Sequence, residues 1–323
     1  MAVSYKDFIH PEDAKALQML KNIPGYTTVS RGVMKLGIEP YYHSTFMADY
    51  IRLSPSQLPK IYGLLPPVCQ KFGIEEPEFY LQMDPAPGAF TLGDKRCFVV
   101  ITSGLLDCVT DPLELQSILA HECAHIMCRH AFYNTLAQVL LSGDIPIKKI
   151  VDRMMGGAGK IKIAEKLPVV GTAVTIGGVV AESMYVALLS ALHYWGRRSE
   201  LSCDRASAVF CGNVETPAKA LMRLTGGPSR FTSDINIEEF ANQTNDKDFG
   251  TKWEKVLRGM KIMMQDHPFA VTRIQELNKF GQSAKYQELV TALREAEFGR
   301  VCKKCGRPIS EKQKFCRFCG QAL

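Results

Sequence analysis

Asp111-Pro112-Leu113-Glu114-Leu115-Gln116-Ser117-Ile118-Leu119-Ala120-His121-Glu122-Cys123-Ala124-His125 is the stretch from which the rest of the chain is read. An acid at the cap, proline at the first helical position and glutamate three residues after the cap make a helix start. Apolar periodicity extends that helix to about Arg129. His121 and His125 are four residues apart, slightly more than one turn, so both imidazoles leave one face and can bind a single Zn²⁺, with Glu122 one position on. Metal lowers the pKa of a bound water, and Glu122 can take its proton during attack on a peptide carbonyl. The bland alternative is two partly buried structural histidines.

A catalytic zinc needs a third protein ligand. Glu200-Leu201-Ser202-Cys203-Asp204 begins seventy-five residues beyond His125. On a helix Glu200 and Asp204 share a face, so Glu200 can coordinate while Asp204 accepts a hydrogen bond from the second nitrogen of a ligating histidine. Taken alone, this pentapeptide also reads as an exposed, salt-bridged helix face.

The surrounding chain bounds these readings. Its 323 residues are 46% hydrophobic and 22% charged, which excludes intrinsic disorder, collagen-like repeats and a small disulfide scaffold. The net charge of +6 equals the local net of residues 300–323, where seven basic residues meet the single acid Glu311. Residues 1–299 are therefore formally neutral, which argues against a nucleic-acid-binding main domain. Seven of the eleven cysteines lack framework spacing, which suits a reducing compartment, and MAVSYKDFIHPEDAK has no apolar segment of a signal peptide. A cytoplasmic protein is expected. Leu167–Gly196 challenges this, because its only charge is Glu182. That residue divides the run into uncharged halves of 15 and 14 residues, each too short to span a bilayer alone.

Upstream, the first eighty residues read as an α-rich lead-in with a short helix opening at Pro11-Glu12-Asp13. An apolar segment from Ser54-Pro55 to Phe72 should be kinked or broken at Pro66-Pro67. Glu78–Met83 and Cys97–Thr102 read as strands joined by the turn-rich Asp84–Gly88, giving a sheet of two or three strands. Downstream, Thr216-Pro217 starts a helix that Gly226-Gly227-Pro228 stops, and helical patterns cover Trp253–Gln265, Phe269–Lys279 and Ala284–Phe298. The fold class is α+β with helices in excess.

The tail carries a second metal pattern. Cys302 and Cys305, then Cys316 and Cys319, form two C-x-x-C knuckles, each followed by glycine, as a tetrahedral structural Zn²⁺ requires. So small a segment needs such a staple to fold. Its basic residues can meet an acidic partner or simply be solvated. Without an aromatic stacking platform, protein docking or substrate recruitment is preferred over nucleic acid.

Val99-Val100-Ile101-Thr102-Ser103-Gly104-Leu105-Leu106, Glu114-Leu115, Ile118 to His125, Glu200 to Asp204, and His267-Pro268 with Arg273-Ile274 together resemble the zinc metallopeptidase family of HtpX and the CAAX prenyl proteases. The resemblance covers about residues 55–280 in the family's block order. It implies a mainly helical, zincin-like fold with a small sheet and an appended zinc ribbon. His121, His125 and Glu200 are then the ligands of a catalytic zinc, Glu122 is the general base, and Asp204 supports a ligand. His267 stabilises the oxyanion and Arg273 organises the site. Family members commonly carry Asn-Ala-Phe on the strand beside the cleft. Here Gly88-Ala89-Phe90 stands in its place, so the substrate strand lacks that asparagine's side-chain contact.

The resulting expectation is a zinc endopeptidase acting on peptide or protein substrates, with one catalytic and one structural Zn²⁺. A latent or non-catalytic metal-bearing protein that docks through its ribbon is the alternative. Domains are expected at 1–54 (helical lead-in), 55–298 (zincin-like peptidase) and 299–323 (ribbon). Both metal motifs must lie on one side of any bilayer, so spans between them must be even in number. Only Leu167–Gly196 qualifies, which favours a soluble core helix delivering Glu200 over membrane association through 167–196. His130 falls off the ligand face and reads as structural; Cys123, Cys128 and Cys203 read as small buried hydrophobes. His10, His43 and His193 show no recognisable partner in sequence.

Overall fold

The computed structural model describes residues 4–23, 26, 30, 38–141, 176–232, 234–245, 268–298 and, in the tail, 302–305, 307, 309, 315, 316 and 319–322. His267, the Gly143–Lys166 insertion, Leu167–Thr175 of the apolar run and the expected helix Trp253–Gln265 lie outside the described residues.

The lead-in contributes α1 (Tyr5–Phe8), α2 (Pro11–Lys21) and α3 (Ile38–Asp49), followed by β1 (Ile51–Arg52), α4 (Pro59–Tyr62) and α5 (Leu65–Phe72). Then come β2 (Glu78–Gln82), β3 (Ala89–Gly93), β4 (Cys97–Thr102), α6 (Ser103–Cys108), α7 (Pro112–Met127) and α8 (His130–Leu141). The remaining elements are α9 (Ile176–Cys211), α10 (Glu215–Gly226), α11 (Ser229–Thr232), α12 (Ile237–Asn242), α13 (Ala270–Gly281) and α14 (Ala284–Phe298).

The sheet has four strands in the order β1-β2-β4-β3, one more than the upper expectation. Only β2 and β4 run parallel; β1 is antiparallel to β2 and β3 to β4, which leaves β3 at an edge. Side chains alternate across the pleat and so feed two cores. Phe79, Val99 and Ile101 join Leu119, Cys123 and Ala124 of α7. Tyr80, Leu92, Phe98 and Val100 face Tyr42 and Phe46 of α3.

Several local expectations change in detail. Pro66 and Pro67 mark the expected break, which falls just before them, between Tyr62 of α4 and Leu65 of α5. They occupy the first turn of α5, where a missing N–H costs nothing. Asp111 caps α7 by accepting from the Leu113 N–H at 2.8 Å. Glu114 does not complete the cap, because it is buried and accepts from Arg223 Nε at 3.1 Å. Helix α7 ends at Met127, and Arg129 takes φ 61°, the left-handed turn from which α8 departs.

At 36 residues and about 1.5 Å per residue, α9 is about 54 Å long. It packs along α7 and α2 and carries Glu200 and Asp204 to the buried end of α7. Among the described residues no helix is long and apolar enough to cross a membrane.

The lead-in is tied into these cores. Phe8 packs with Leu65 and Phe72, and Ala16 and Leu20 with Tyr133 and Trp195. Asp13 is wholly buried, accepting from Trp195 Nε1 at 3.0 Å and Ser202 Oγ at 2.6 Å. Histidines without partners in sequence acquire them here. His10 caps α2, accepting from the Glu12 N–H at 3.1 Å, and its Nε2 lies 3.5 Å from Glu276. His43 Nδ1 lies 3.1 Å from Glu78 Oε2.

Candidate metal centre and substrate cleft

One helical turn on α7 and the facing turn on α9 build the centre. His121 Nε2 lies 3.3 Å from Glu200 Oε2, and His125 Nε2 lies 3.2 Å from Glu200 Oε1. Tetrahedral ligands about 2.0–2.1 Å from zinc stand about 3.3–3.4 Å apart, so these spacings suit one ion. All three side chains are buried.

Charge points the same way. Among the described cleft residues, Glu122, Glu200 and Asp204 face only one fixed cation, Arg273. With neutral imidazoles this leaves two formal negative charges, the complement of a divalent ion. Burial opposes charge on His121, but Glu200 and Asp204 overcome it and hold the imidazole pKa up at about 10, so the carboxylates draw one positive charge to this ring, a proton that a bound cation would displace. The residues therefore fit a catalytic Zn²⁺ held by His121, His125 and Glu200.

Cys203 is the competing third ligand, since its sulfur and a nitrogen of each histidine lie within 4.8 Å of one another. Zinc needs the thiolate, and burial above all pushes the Cys203 thiol well up. Its sulfur also sits 3.5 Å from His130 Nδ1. The Glu200 carboxylate, by contrast, lies 3.2–3.3 Å from a nitrogen of each imidazole, one oxygen to each ring.

Behind the ligands, Asp204 and Arg273 act as one unit. Arg273 donates from Nε to Asp204 Oδ2 at 2.8 Å and from Nη2 to Oδ1 at 2.6 Å, while its Nη1 lies 3.2 Å from Glu200 Oε2. Asp204 Oδ1 is 3.1 Å from His121 Nδ1, the position from which it can fix the ring's tautomer. Burial would raise the Asp204 pKa, but Arg273 and His121 together bring it below the ordinary value. The expected ligand-supporting place of Asp204 and the organising place of Arg273 thus coincide in one buried ion pair.

Thr91 of β3 joins the centre. Its hydroxyl donates to Glu122 Oε2 at 2.6 Å, orienting the carboxylate beside the ligands. A β-strand threonine carries no sequence mark of such a role; only the closeness of β3 to α7 reveals it. His130 is buried, with Nε2 3.1 Å from Asp13 Oδ2 but off the line of a well-aligned hydrogen bond. Its ring centroid is 5.4 Å from those of both His125 and Trp195.

Gly88, Ala89 and Phe90 lie at the start of the edge strand. Thr102 N–H donates to the Gly88 carbonyl at 3.0 Å, and Gly88 N–H donates to Thr102 Oγ1 at 2.9 Å. Antiparallel ladders alternate, so Phe90 also turns its main chain toward β4, while Ala89 and Thr91 turn theirs off the edge. Gly93 N–H follows the same phase, donating across the edge to Thr135 Oγ1 of α8 at 2.7 Å. A β-carbon on Gly88 would meet only the Thr102 methyl, at 3.9 Å, so the missing asparagine is not excluded by space.

Two cavities meet at Glu122, Glu200 and Ala89. The first, about 630 Å³, is lined on the Gly88 side by Ile118, Leu221, Leu224 and Phe269. The second, about 350 Å³, lies toward Phe90–Leu92.

In the tail, Cys302 Sγ is 3.6 Å from Cys319 Sγ and Cys305 Sγ is 3.5 Å from Cys316 Sγ. Zinc bound at about 2.3 Å by four thiolates separates them by about 3.8 Å, so the cluster fits a structural zinc. Gly320 adopts φ 72°, a conformation that favours glycine after the second knuckle.

Peptidase family M48 matches residues 58–280, and a zinc-ribbon domain matches residues 301–323. The chain is 26% identical over 288 residues to the plastoglobule-localized metallopeptidase 48, chloroplastic, of Arabidopsis thaliana, covering 88% of this chain and 75% of that protein. It is 26% identical over 186 residues to the protease HtpX homolog 2 of Methanosarcina mazei, covering 56% of this chain and 60% of that protein. With the protease HtpX homolog of Campylobacter curvus it shares 24% identity over 237 residues, 73% and 79% of the two chains. No solved structure matches.

Proposed function

The chain belongs to peptidase family M48, and from that premise we propose that it is a zinc endopeptidase whose general base is Glu122. His121, His125 and Glu200 hold the zinc, which when bound polarises the scissile carbonyl and acidifies the attacking water. Glu122 accepts the water's proton and passes it to the leaving amine, held in line by Thr91. Asp204 and Arg273 keep His121 oriented. His267, by its match to the family's His-Pro block, donates to the oxyanion. An extended substrate adds beside the start of β3 through the main chain of Ala89, which keeps partial exposure. The ribbon at 299–323 serves as a docking module for a protein partner or substrate, and a cytoplasmic location remains our reading.

The observation that carries this reading is one buried Glu200 carboxylate spanning both HExxH imidazoles, with Glu122 in the same cavity. The test is zinc content and cleavage of an unstructured protein by the wild type and Glu122→Gln, both purified without chelator. We expect two zincs per chain in each and cleavage by the wild type alone. Equal cleavage by Glu122→Gln removes the base from its role, and no cleavage by either removes the peptidase reading.

A further inference from the structure

The second cavity belongs to the same cleft, yet one of its walls comes from a part of the chain that the family match does not include. Phe46 lies on α3 and Tyr50 just after it, both upstream of residue 58. Phe46 and Trp195 are all but buried, whereas Tyr50 and Phe90 keep partial exposure. The rings form one surface, with Phe46 stacked on Tyr50 at 4.8 Å and edge-on to Phe90 at 6.4 Å.

Helix α3 is clamped in place rather than resting loosely on the sheet. Glu39 Oε1 accepts from the backbone N–H groups of Asp94, Lys95 and Arg96 at 2.8, 2.8 and 3.3 Å, filling the turn between β3 and β4. Glu78 then ties His43 of α3 to Arg96 at the end of that turn. The aromatic wall is therefore fixed to the strand that offers its edge to substrate.

Direction along that edge decides which side of the scissile bond the wall reads. A strand added antiparallel to β3, the commoner pairing, runs from the Gly93 end toward the Gly88 end. Its N-terminal residues then pass Phe90–Leu92 and the second cavity, while its C-terminal residues pass the first. The Thr135 bond to Gly93 N–H closes the edge beyond that point, which confines recognition to the few residues nearest the metal centre.

We infer that the second cavity is the subsite for the substrate side chain just N-terminal to the scissile bond, and that it selects aromatic and large aliphatic side chains there. This rests on the peptidase reading above. A cavity of about 350 Å³ accepts one large side chain, at the small end of ligand pockets of about 300–1,000 Å³. Its aromatic surface rewards apolar contact, and Asn134 and Gln138 of α8 supply polar groups to the same cavity.

The experiment digests a proteome-derived peptide library with zinc-loaded full-length protein and reads residue preferences on both sides of each cut by mass spectrometry. Three proteins are compared: the wild type, Ala137→Phe, which fills the cavity from α8, and Tyr50→Ala, which opens it, with thermal unfolding as the folding control. We expect large apolar residues to be enriched just N-terminal to wild-type cuts. Ala137→Phe should lower the ratio of large to small residues there by about tenfold, and Tyr50→Ala should change that side's profile while the C-terminal side keeps its own. If one variant fails to fold, the other decides. An apolar preference confined to the C-terminal side, or an N-terminal profile unmoved by the folded variants, overturns the subsite and leaves the peptidase standing. Absence of any Glu122-dependent cleavage overturns both.

Discussion

Replacing Asp204 by asparagine keeps the side chain's size and removes its charge. In the wild type both oxygens are committed: Oδ2 accepts from Arg273 Nε at 2.8 Å, and Oδ1 accepts from Nη2 at 2.6 Å and faces His121 Nδ1 at 3.1 Å. An amide offers one oxygen and one NH₂, so at least one of those donors must face another donor. Arg273 is left with Glu200, 3.2 Å from its Nη1, as its charged neighbour. Breaking a buried pair by removing one partner costs about 3–5 kcal/mol. The retained volume and one surviving acceptor place Asp204→Asn near the lower figure, about 3 kcal/mol. Loosening the support behind a ligating histidine lowers metal affinity by about 10–100-fold, or about 1.4–2.7 kcal/mol. Urea unfolding with zinc chelated from both proteins reads the first effect, and competition with a chromophoric chelator reads the second. Unfolding free energies within about 0.5 kcal/mol, the range of ordinary surface substitutions, together with unchanged zinc affinity, would refute the coupling of Asp204 and Arg273 to the metal centre.

Three further outcomes follow from neighbouring contacts. Thr91→Val removes the 2.6 Å hydrogen bond to Glu122 but keeps the side chain's shape; kcat should fall about tenfold, the equivalent of about 1.4 kcal/mol from a bond to a charged group, with KM little changed. A KM effect alone would contradict an orienting role. Burial, above all, depresses the His130 pKa below 6.5, and Asp13 is held below 3.8 by His130, Ser202 and Trp195 against its own burial. The unfolded chain therefore binds more protons than the folded one, first as pH falls below 6.5 and again as it falls below 3.8. The stability these groups contribute is present at neutral pH and is lost on acidification. His130→Gln should shrink the drop in urea midpoint between pH 7.5 and 5.5, and an unaltered slope would deny His130 that part. Cys316→Ser should release one zinc per chain and unfold the tail while zinc binding by His121, His125 and Glu200 persists; loss of both zincs would mean that the two sites fold as one.

The metal motifs were legible because the chemistry lies within one helical turn or one knuckle. A step of four residues from His121 to His125, or of three from Cys302 to Cys305, already brings ligand atoms together once local structure forms. Helix starts are legible for the same reason, and Pro66 and Pro67 mark a break that falls just before them because they sit in the first turn of α5. Strand β3 was harder to read. It is short, starts beside Gly88 and follows a turn-rich run, so little in its composition separates it from loop. Glu114 showed the reverse problem, since a capping pattern in sequence became a partner for Arg223, 109 residues away, once α10 packed on α7.

From the residues alone came the helix that presents His121, Glu122 and His125, the pairing of Glu200 with Asp204, the four-cysteine knuckles and the α+β class with helices in excess. All of these depend on spacings along a few turns of chain, where backbone hydrogen bonding dictates geometry. Tertiary structure alone decided that Thr91 holds Glu122, that Arg273 closes on Asp204, that Asp13 sits beneath His130, and that α3 brings aromatic rings to the cleft. Those contacts join residues 31 to 117 positions apart or from separate elements. Their partners become definite only when burial brings distant helices and strands together, where each polar group must find a partner.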